Sequence, residues 1–311
     1  MKFLEWRHFL LPLALTVVFI LVAQQQIISD ENWPETIDNF NETHWVSTHP
    51  IPTEMSFADE SVPLHNPDIQ ERLDREILVN AYWQSNAFLL LKRTHKYGPL
   101  IDSILAAENV PLDFKYLAVI ESGLQNATSP AGAKGFWQFM RGTAKEFDLE
   151  VNNNVDERLN LVLSTQAAAR YLKQARDEFG SWTLAAASYN AGRAGIRREL
   201  ARQSVSNYYD LLLNEETSRY VFRILAVKRL LEEPRQYGFQ YKEDHLYQRI
   251  PTRKLTVDTV VTDFVAFAEK FGINYKILKI HNPWLRETHL NNASRKVYHI
   301  DIPESGYYSV P

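Results

Sequence analysis

The sequence predicts a mainly α protein that closes with a small α+β unit, and a change of periodicity carries that prediction. From about Glu71 to Phe239 apolar residues recur three and four apart, as at Ile101, Ile104 and Leu105 and again at Leu117 and Ile120, which lays an apolar stripe along each helix. Beyond Gly238 the pattern shifts. Leu255-Thr256-Val257 reads as a strand, and Phe264, Val265, Phe267, Ala268 and Phe271 form a helical stripe. Ile277 to Ile280 reads as another helix, ended by Asn282-Pro283-Trp284, and Lys296 to Ile302 alternates as a second strand. The order is β-α-α-β. With 311 residues and 45% hydrophobic content the chain can bury a sizeable core, and its length suggests roughly two domains.

Composition removes several function classes. A formal charge of -4 with scattered basic residues gives no electrostatic footprint for nucleic acid, so no nucleic-acid partner is expected. The absence of cysteine excludes disulfides, thiolate metal sites, cysteine nucleophiles and lipid attachment through a lipobox, and suits an oxidising compartment. The nine histidines form no H-E-x-x-H, and no acidic calcium loop is present; neither a metal nor a cofactor is expected.

Residues 1–28 carry the compartment signal. Lys2 and Arg7 precede an apolar run from Phe9 to Ala23 that breaks into three glutamines. The run is shorter than the ~20 residues that span a bilayer, yet no clear A-x-A site follows, so a cleaved signal peptide and a retained membrane anchor both stay open. Either one implies export. Residues 29–70 are polar and punctuated by Pro34, Pro50, Pro52 and Pro63, which reads as a linker or poorly ordered spacer, although Trp33, Trp45 and Phe57 could pack on a neighbouring domain. The helical domain then occupies 71–240 and the small unit 246–311.

Within the helical domain three segments carry chemistry. Pro111 can open a helix that runs from Leu112 to Gly123, a plausible stop, which puts Glu121 at a helix C-terminus. There the negative end of the helix dipole disfavours the charged carboxylate and raises its pKa, as a general acid requires. A solvated surface glutamate is the competing reading, and local chemistry alone does not decide. Ser129 to Met140 (Ser-Pro-Ala-Gly-Ala-Lys-Gly-Phe-Trp-Gln-Phe-Met) is small and then abruptly aromatic, as in a tight loop that brings backbone and ring faces against a ligand. Ala185 to Gly192 reads as a closely packed helix ending in Tyr189 and Asn190 before a glycine cap. Asp156, Glu157 and Arg158 look like a structural charged cluster.

In that order, Tyr116-Leu117-Ala118-Val119-Ile120-Glu121-Ser122-Gly123, the Ser129 to Met140 loop, Val155-Asp156-Glu157-Arg158, Ser188-Tyr189-Asn190-Ala191-Gly192 and Glu216-Thr217-Ser218-Arg219-Tyr220-Val221 resemble the lytic murein transglycosylases with a goose-lysozyme-like catalytic domain. The resemblance covers most of residues 75 to 240. Departures are a loop one residue shorter between Glu121 and Ser129, Arg141 and Phe222 where prolines are frequent, and Asn160-Leu161 in place of Asp-Pro. The terminal β-α-α-β unit resembles a LysM module through Asn282-Pro283, without the usual glycine-aspartate-threonine opening or a clear glycine before the last strand, and a small capping subdomain without sugar affinity is the competing reading.

The resemblance implies a lysozyme-like helical fold acting on peptidoglycan glycan strands in the bacterial envelope, on the periplasmic side. It implies that Glu121 is the sole acid/base, with Ser129, Gln138, Tyr189, Asn190 and Tyr220 as substrate-cleft residues and Ser122 and Glu216 in support. It also implies cleavage of the β-1,4 bond between N-acetylmuramic acid and N-acetylglucosamine, with closure of a 1,6-anhydro ring. Two other classes remain open from the residues themselves: a binding protein that leaves the glycan intact, and a lysozyme-like hydrolase whose water-placing carboxylate would come from Asp113, Asp148 or Asp156.

Overall fold

Helix signals in the sequence become a bundle whose members are capped by the residues that precede them. The computed structural model describes residues 48–308; the segment expected to carry an export signal and the first part of the expected spacer lie outside them. Helix α1 (Pro67–Tyr82) starts where the Asn66 side chain accepts the Asp68 amide and Pro67 fills the first turn, then gives way at Trp83 to α2 (Gln84–Ala107). A 3₁₀ turn at Leu112–Phe114 leads into α3 (Lys115–Ser122), which Gly123 ends in the left-handed conformation, with φ 59°. A short α4 (Arg141–Glu146) follows the loop. Asn160 caps α5 (Leu161–Phe179), Ser181 caps α6 (Trp182–Ala191), and α7 (Arg193–Gln203) follows directly. Asn214 caps α8 (Glu215–Glu232), which packs on α1, α3 and α6, while α5 packs on α2 and α6. The shared core holds Phe114, Trp137, Tyr208, Tyr220 and Phe222, all fully or nearly fully buried.

The spacer expected over 29–70 does not extend through its described part. Ser56–Phe57 (β1) and Glu60–Ser61 (β2) form a small hairpin, with Phe57 fully buried and edge-on to Phe114 at 5.1 Å. Glu60 reaches the start of α6 and accepts four hydrogen bonds, from the Ser181 and Thr183 hydroxyls and the Trp182 and Thr183 amides. Helical structure also begins at Pro67, ahead of Glu71. Two-residue strands generate no readable alternation, and a single buried phenylalanine no stripe.

The C-terminal unit has the expected β-α-α-β order: β3 (Thr252–Val257), α9 (Phe264–Glu269), α10 (Tyr275–His281) and β4 (Tyr298–Pro303), with β3 and β4 antiparallel and Thr252 opposite Pro303. Buried Asn282 explains the Asn-Pro signal. Its amide donates to the Leu278 and Asp301 carbonyls and accepts the Asp301 N–H, tying the end of α10 to β4. The unit's core of Phe264, Leu278, Trp284, Leu285 and Ile300 also includes Val155 and Leu159, from the helical domain's 151–159 loop. Among the described residues no helix is long and apolar enough to cross a membrane.

Candidate active site

Glu121 is the penultimate residue of α3, so its carboxylate stands at the helix end where unpaired carbonyls concentrate negative charge. Burial pushes the carboxyl above the ordinary glutamate range; the Tyr220 hydrogen bond and the Arg223 guanidinium pull against that shift, Glu216 adds to it, and the net direction is upward. The Tyr220 hydroxyl donates to Glu121 Oε1 at 2.5 Å. Burial first, and then the Glu121 charge, raise the Tyr220 phenol far above its usual value, so it remains a donor. Arg223 is fixed by donating to the Ile120 carbonyl at 3.1 Å.

Glu121 opens into a cleft of about 720 Å³ between α1, α2, α3 and α8. Its walls are mixed in character. Trp83, 59% exposed at the break between α1 and α2, offers an aromatic face beside Asn80 and Leu90. On the α8 side, Arg219 donates to the buried Glu76 through Nε at 2.7 Å. The carboxylates lining this cleft are Glu76, Glu121, Glu215 and Glu216. None of the three aspartates considered for hydrolysis lines it. Asp113 accepts from Lys228 and the Ala58 amide, Asp156 is held by Arg158, and Asp148 sits in a turn at φ 64°.

The loop from Ser129 to Met140 is tied at several points. The Ser129 amide donates to the Ala133 carbonyl at 2.9 Å, its hydroxyl accepts the Ala133 amide at 3.0 Å, and Lys134 donates to the Phe139 carbonyl at 3.1 Å. Gly135 has φ 83°, and a Cβ there would fall 2.0 Å from the Arg158 carbonyl oxygen, so glycine alone fits. Ser122 anchors the loop to α3 by donating to the Phe136 carbonyl at 2.8 Å. The aromatic rings expected to face a ligand instead turn largely inward. Phe136 and Trp137 are core residues, and the Trp137 indole donates to Thr165 Oγ1 at 2.9 Å. Hydrophobic burial outweighs exposure for side chains of this size.

What the loop presents outward is Gln138, at φ 49°, with its amide donating to the Gly135 and Ala127 carbonyls at 2.7 and 3.2 Å. Gln138 lines a second depression of about 480 Å³ with Phe139, Met140, Tyr189 and Asn190. The Tyr189 ring packs against Tyr171 at 5.1 Å and its hydroxyl donates to the Trp137 carbonyl at 2.8 Å. Burial, then the Glu121 charge, raise its phenol well above the usual value. Asn190 joins the two regions: its amide donates to Glu216 Oε1 at 2.9 Å and its oxygen accepts from Thr217 Oγ1 at 2.8 Å.

The structure therefore brings Glu121, Ser122, Tyr220 and Glu216 together, with Gln138, Tyr189 and Asn190 in the adjoining depression. The Ser129 hydroxyl accepts a hydrogen bond within its own loop, from the Ala133 amide. Sequence reasoning missed Trp83, Glu76, Arg219 and Arg223. Glu215, Arg219 and Arg223 recur four apart on α8, a usable signal; Trp83 falls between helices and carries none.

Residues 101–211 match the family described as the transglycosylase SLT domain. The chain carries a transglycosylase SLT domain. Residues 253–306 match the soluble lytic transglycosylase C-terminal LysM-like domain. The chain is similar to membrane-bound lytic murein transglycosylase D of Escherichia coli strain K12 and of Escherichia coli O6:H1 strain CFT073, in each case 31% identical over 152 residues, 47% of this chain and 34% of the relative. It is also similar to a putative tributyltin chloride resistance protein of Alteromonas sp. strain M-1, 27% identical over 126 residues, 40% of this chain and 58% of the relative. The alignment spans about a third of the length of the two murein transglycosylases. The SLT domain is the lysozyme-like helical part of the fold. Glu121, Ser122, Ser129, Gln138, Tyr189 and Asn190 lie within its matched range, whereas Glu216 and Tyr220 on α8 and Trp83 lie outside it.

Proposed function

We propose that this chain is a peptidoglycan lytic transglycosylase that cuts the β-1,4 bond between N-acetylmuramic acid and N-acetylglucosamine without consuming water. The observation that carries the proposal is Glu121 itself, a carboxyl with a raised pKa, opening into a cleft and held by one tyrosine hydroxyl. A protein that merely held glycan would need no such proton store. Protonated Glu121 delivers its proton to the glycosidic oxygen as an oxocarbenium-like centre develops on the muramyl sugar. The resulting carboxylate takes the proton of the sugar's own C6 hydroxyl, which attacks C1 and closes the 1,6-anhydro ring. Intramolecular attack gains effective molarities on the order of 10⁵ M, so no second carboxylate is needed to place water.

Tyr220 donates to the carboxylate formed after the first proton transfer, and Arg223 offsets its charge. Gln138 offers the amide oxygen that its two backbone hydrogen bonds leave over. Tyr189 and Asn190 form the adjoining wall, Glu216 holds Asn190, Ser122 braces the loop and Ser129 shapes it. The export signal and the named relatives support action in the cell envelope, on the periplasmic side.

Mass spectrometry of products from purified peptidoglycan tests the reading. Each cut chain should end in 1,6-anhydromuramic acid, about 18 Da lighter than the sugar left by hydrolysis, because ring closure replaces water attack. Reducing ends that borohydride converts to muramitol would make the enzyme a hydrolase and turn attention to Glu216 as the water-placing base.

A further inference from the structure

The C-terminal unit does more than follow the SLT domain along the chain. Val155 and Leu159 are 1% and 5% exposed, and what buries them is the core of that unit. The segment between them is bound to the unit through backbone and side chains. Val155 pairs with Leu285 in an antiparallel bridge, the Asp156 amide donates to the Trp284 carbonyl at 2.9 Å, and the Arg286 amide donates to the Asn154 carbonyl at 2.8 Å. Asn154 adds bonds to the His289 carbonyl and from the Asn291 amide, both at 2.8 Å.

The charges follow the same division. Glu157 is 4% exposed, and the cation beside it comes from the C-terminal unit: Lys296 Nζ lies 2.9 Å from Glu157 Oε1 and 2.6 Å from Glu150 Oε2. A buried carboxylate that loses its counter-charge is strongly destabilising, so this contact fixes the 150–157 segment. The next residue passes the constraint on. Arg158 holds Asp156 through two hydrogen bonds at 2.8 Å and donates from Nη1 to the Gly132 and Phe139 carbonyls, both at 3.1 Å. Those carbonyls belong to the loop that presents Gln138, and Gly135 of that loop rests directly on the Arg158 backbone.

We propose that the C-terminal unit is a brace for the substrate loop, with Lys296 as the positioning residue that locks Glu157, and through Arg158 the Ser129 to Met140 loop, into the shape that receives glycan. Lys296, Glu157 and Arg158 do not line the Glu121 cleft, so the brace acts on substrate binding and leaves proton transfer alone. The kinetic part rests on the proposed transglycosylase activity; the structural part does not.

The test uses the full chain with Lys296→Ala, Lys296→Glu and Lys296→Arg, followed by hydrogen exchange resolved by mass spectrometry and by digestion of solubilised peptidoglycan strands. Exchange over residues 129–140 should quicken roughly tenfold in Lys296→Glu, less in Lys296→Ala, and return close to wild type in Lys296→Arg, with α1 and α8 unchanged. KM should rise about three- to tenfold in the same order, while kcat stays within about twofold and the pH limb assigned to Glu121 does not move. Looser exchange over 284–298 with wild-type exchange over 129–140 and unchanged KM would overturn the brace, and so would wild-type behaviour in both Lys296→Ala and Lys296→Glu. Lys296 is half-exposed, so Lys296→Ala keeps the test alive should Lys296→Glu not fold. A wild-type chain that cuts nothing would count against the proposed function, and the exchange data would still decide the brace.

Discussion

Glu60 and Glu121 are both partly buried glutamates at helix ends, and the ends differ. Glu60 faces the N-terminus of α6, where burial raises its pKa but the hydrogen bonds from Thr183, Trp182 and Ser181 outweigh it and hold the carboxyl below its ordinary range. Glu121 sits at the C-terminus of α3 with one hydroxyl donor, and there burial wins. The same side chain thus has its proton affinity lowered in one place and raised in the other, according to how many donors meet it and which helix pole it faces. The two are also linked through α6, whose first turn Glu60 caps and whose last turn carries Tyr189 and Asn190.

Exchanging each glutamate for glutamine separates the roles. Glu121→Gln should cost about 10²- to 10⁴-fold or more in turnover, because the amide cannot transfer the proton, while circular dichroism and melting stay as in wild type. Glycan digestion at the wild-type rate by that folded variant would remove Glu121 from the mechanism. Tyr220→Phe should cost roughly tenfold to a hundredfold in kcat/KM, the worth of one hydrogen bond to a charged group. It also removes an interaction that lowers the Glu121 pKa, so the pH limb at which the acid ionises should move to higher pH; a shift to lower pH would reverse the assigned role.

Glu60→Gln should act on stability instead. Its folded-state pKa is depressed, so its contribution is complete above the unfolded value of roughly 4.3 and is lost as pH falls through the folded value. Urea unfolding at pH 7 should show a loss of about 1 kcal/mol, discounted for partial exposure, and wild type and variant should converge under acid. A gap that widens under acid would contradict the sign. The smallest effect belongs to Trp83→Ala, where KM should rise about threefold to fivefold with kcat and melting unchanged, as expected for loss of an exposed stacking face.

The parts of this contrast differ in how far they could be read from sequence. Glu121 at a helix end was legible because Pro111 and Gly123 bracket one short amphipathic helix, and Gly123 does adopt the left-handed conformation. The terminal β-α-α-β unit was legible from its change of period. Glu60 was hidden, since its hairpin has two-residue strands and its partners lie more than a hundred residues away. Lys296 was hidden for the same reason, being 139 residues from Glu157. The loop's aromatic residues were visible, but their direction was not. Composition shows that rings cluster, and packing decides that Phe136 and Trp137 serve the core while Gln138 faces out.

The measurement closest to the central claim is the protonation of Glu121 itself. Infrared difference spectra of wild type minus Glu121→Gln, recorded across pH, isolate the band of the protonated carboxyl. That band should persist above the ordinary glutamate range near 4.3 and disappear only at higher pH, as burial at a helix C-terminus requires. Disappearance at or below that range would mean that Glu121 is an ordinary anion at neutral pH, and the acid would have to be sought elsewhere in the cleft.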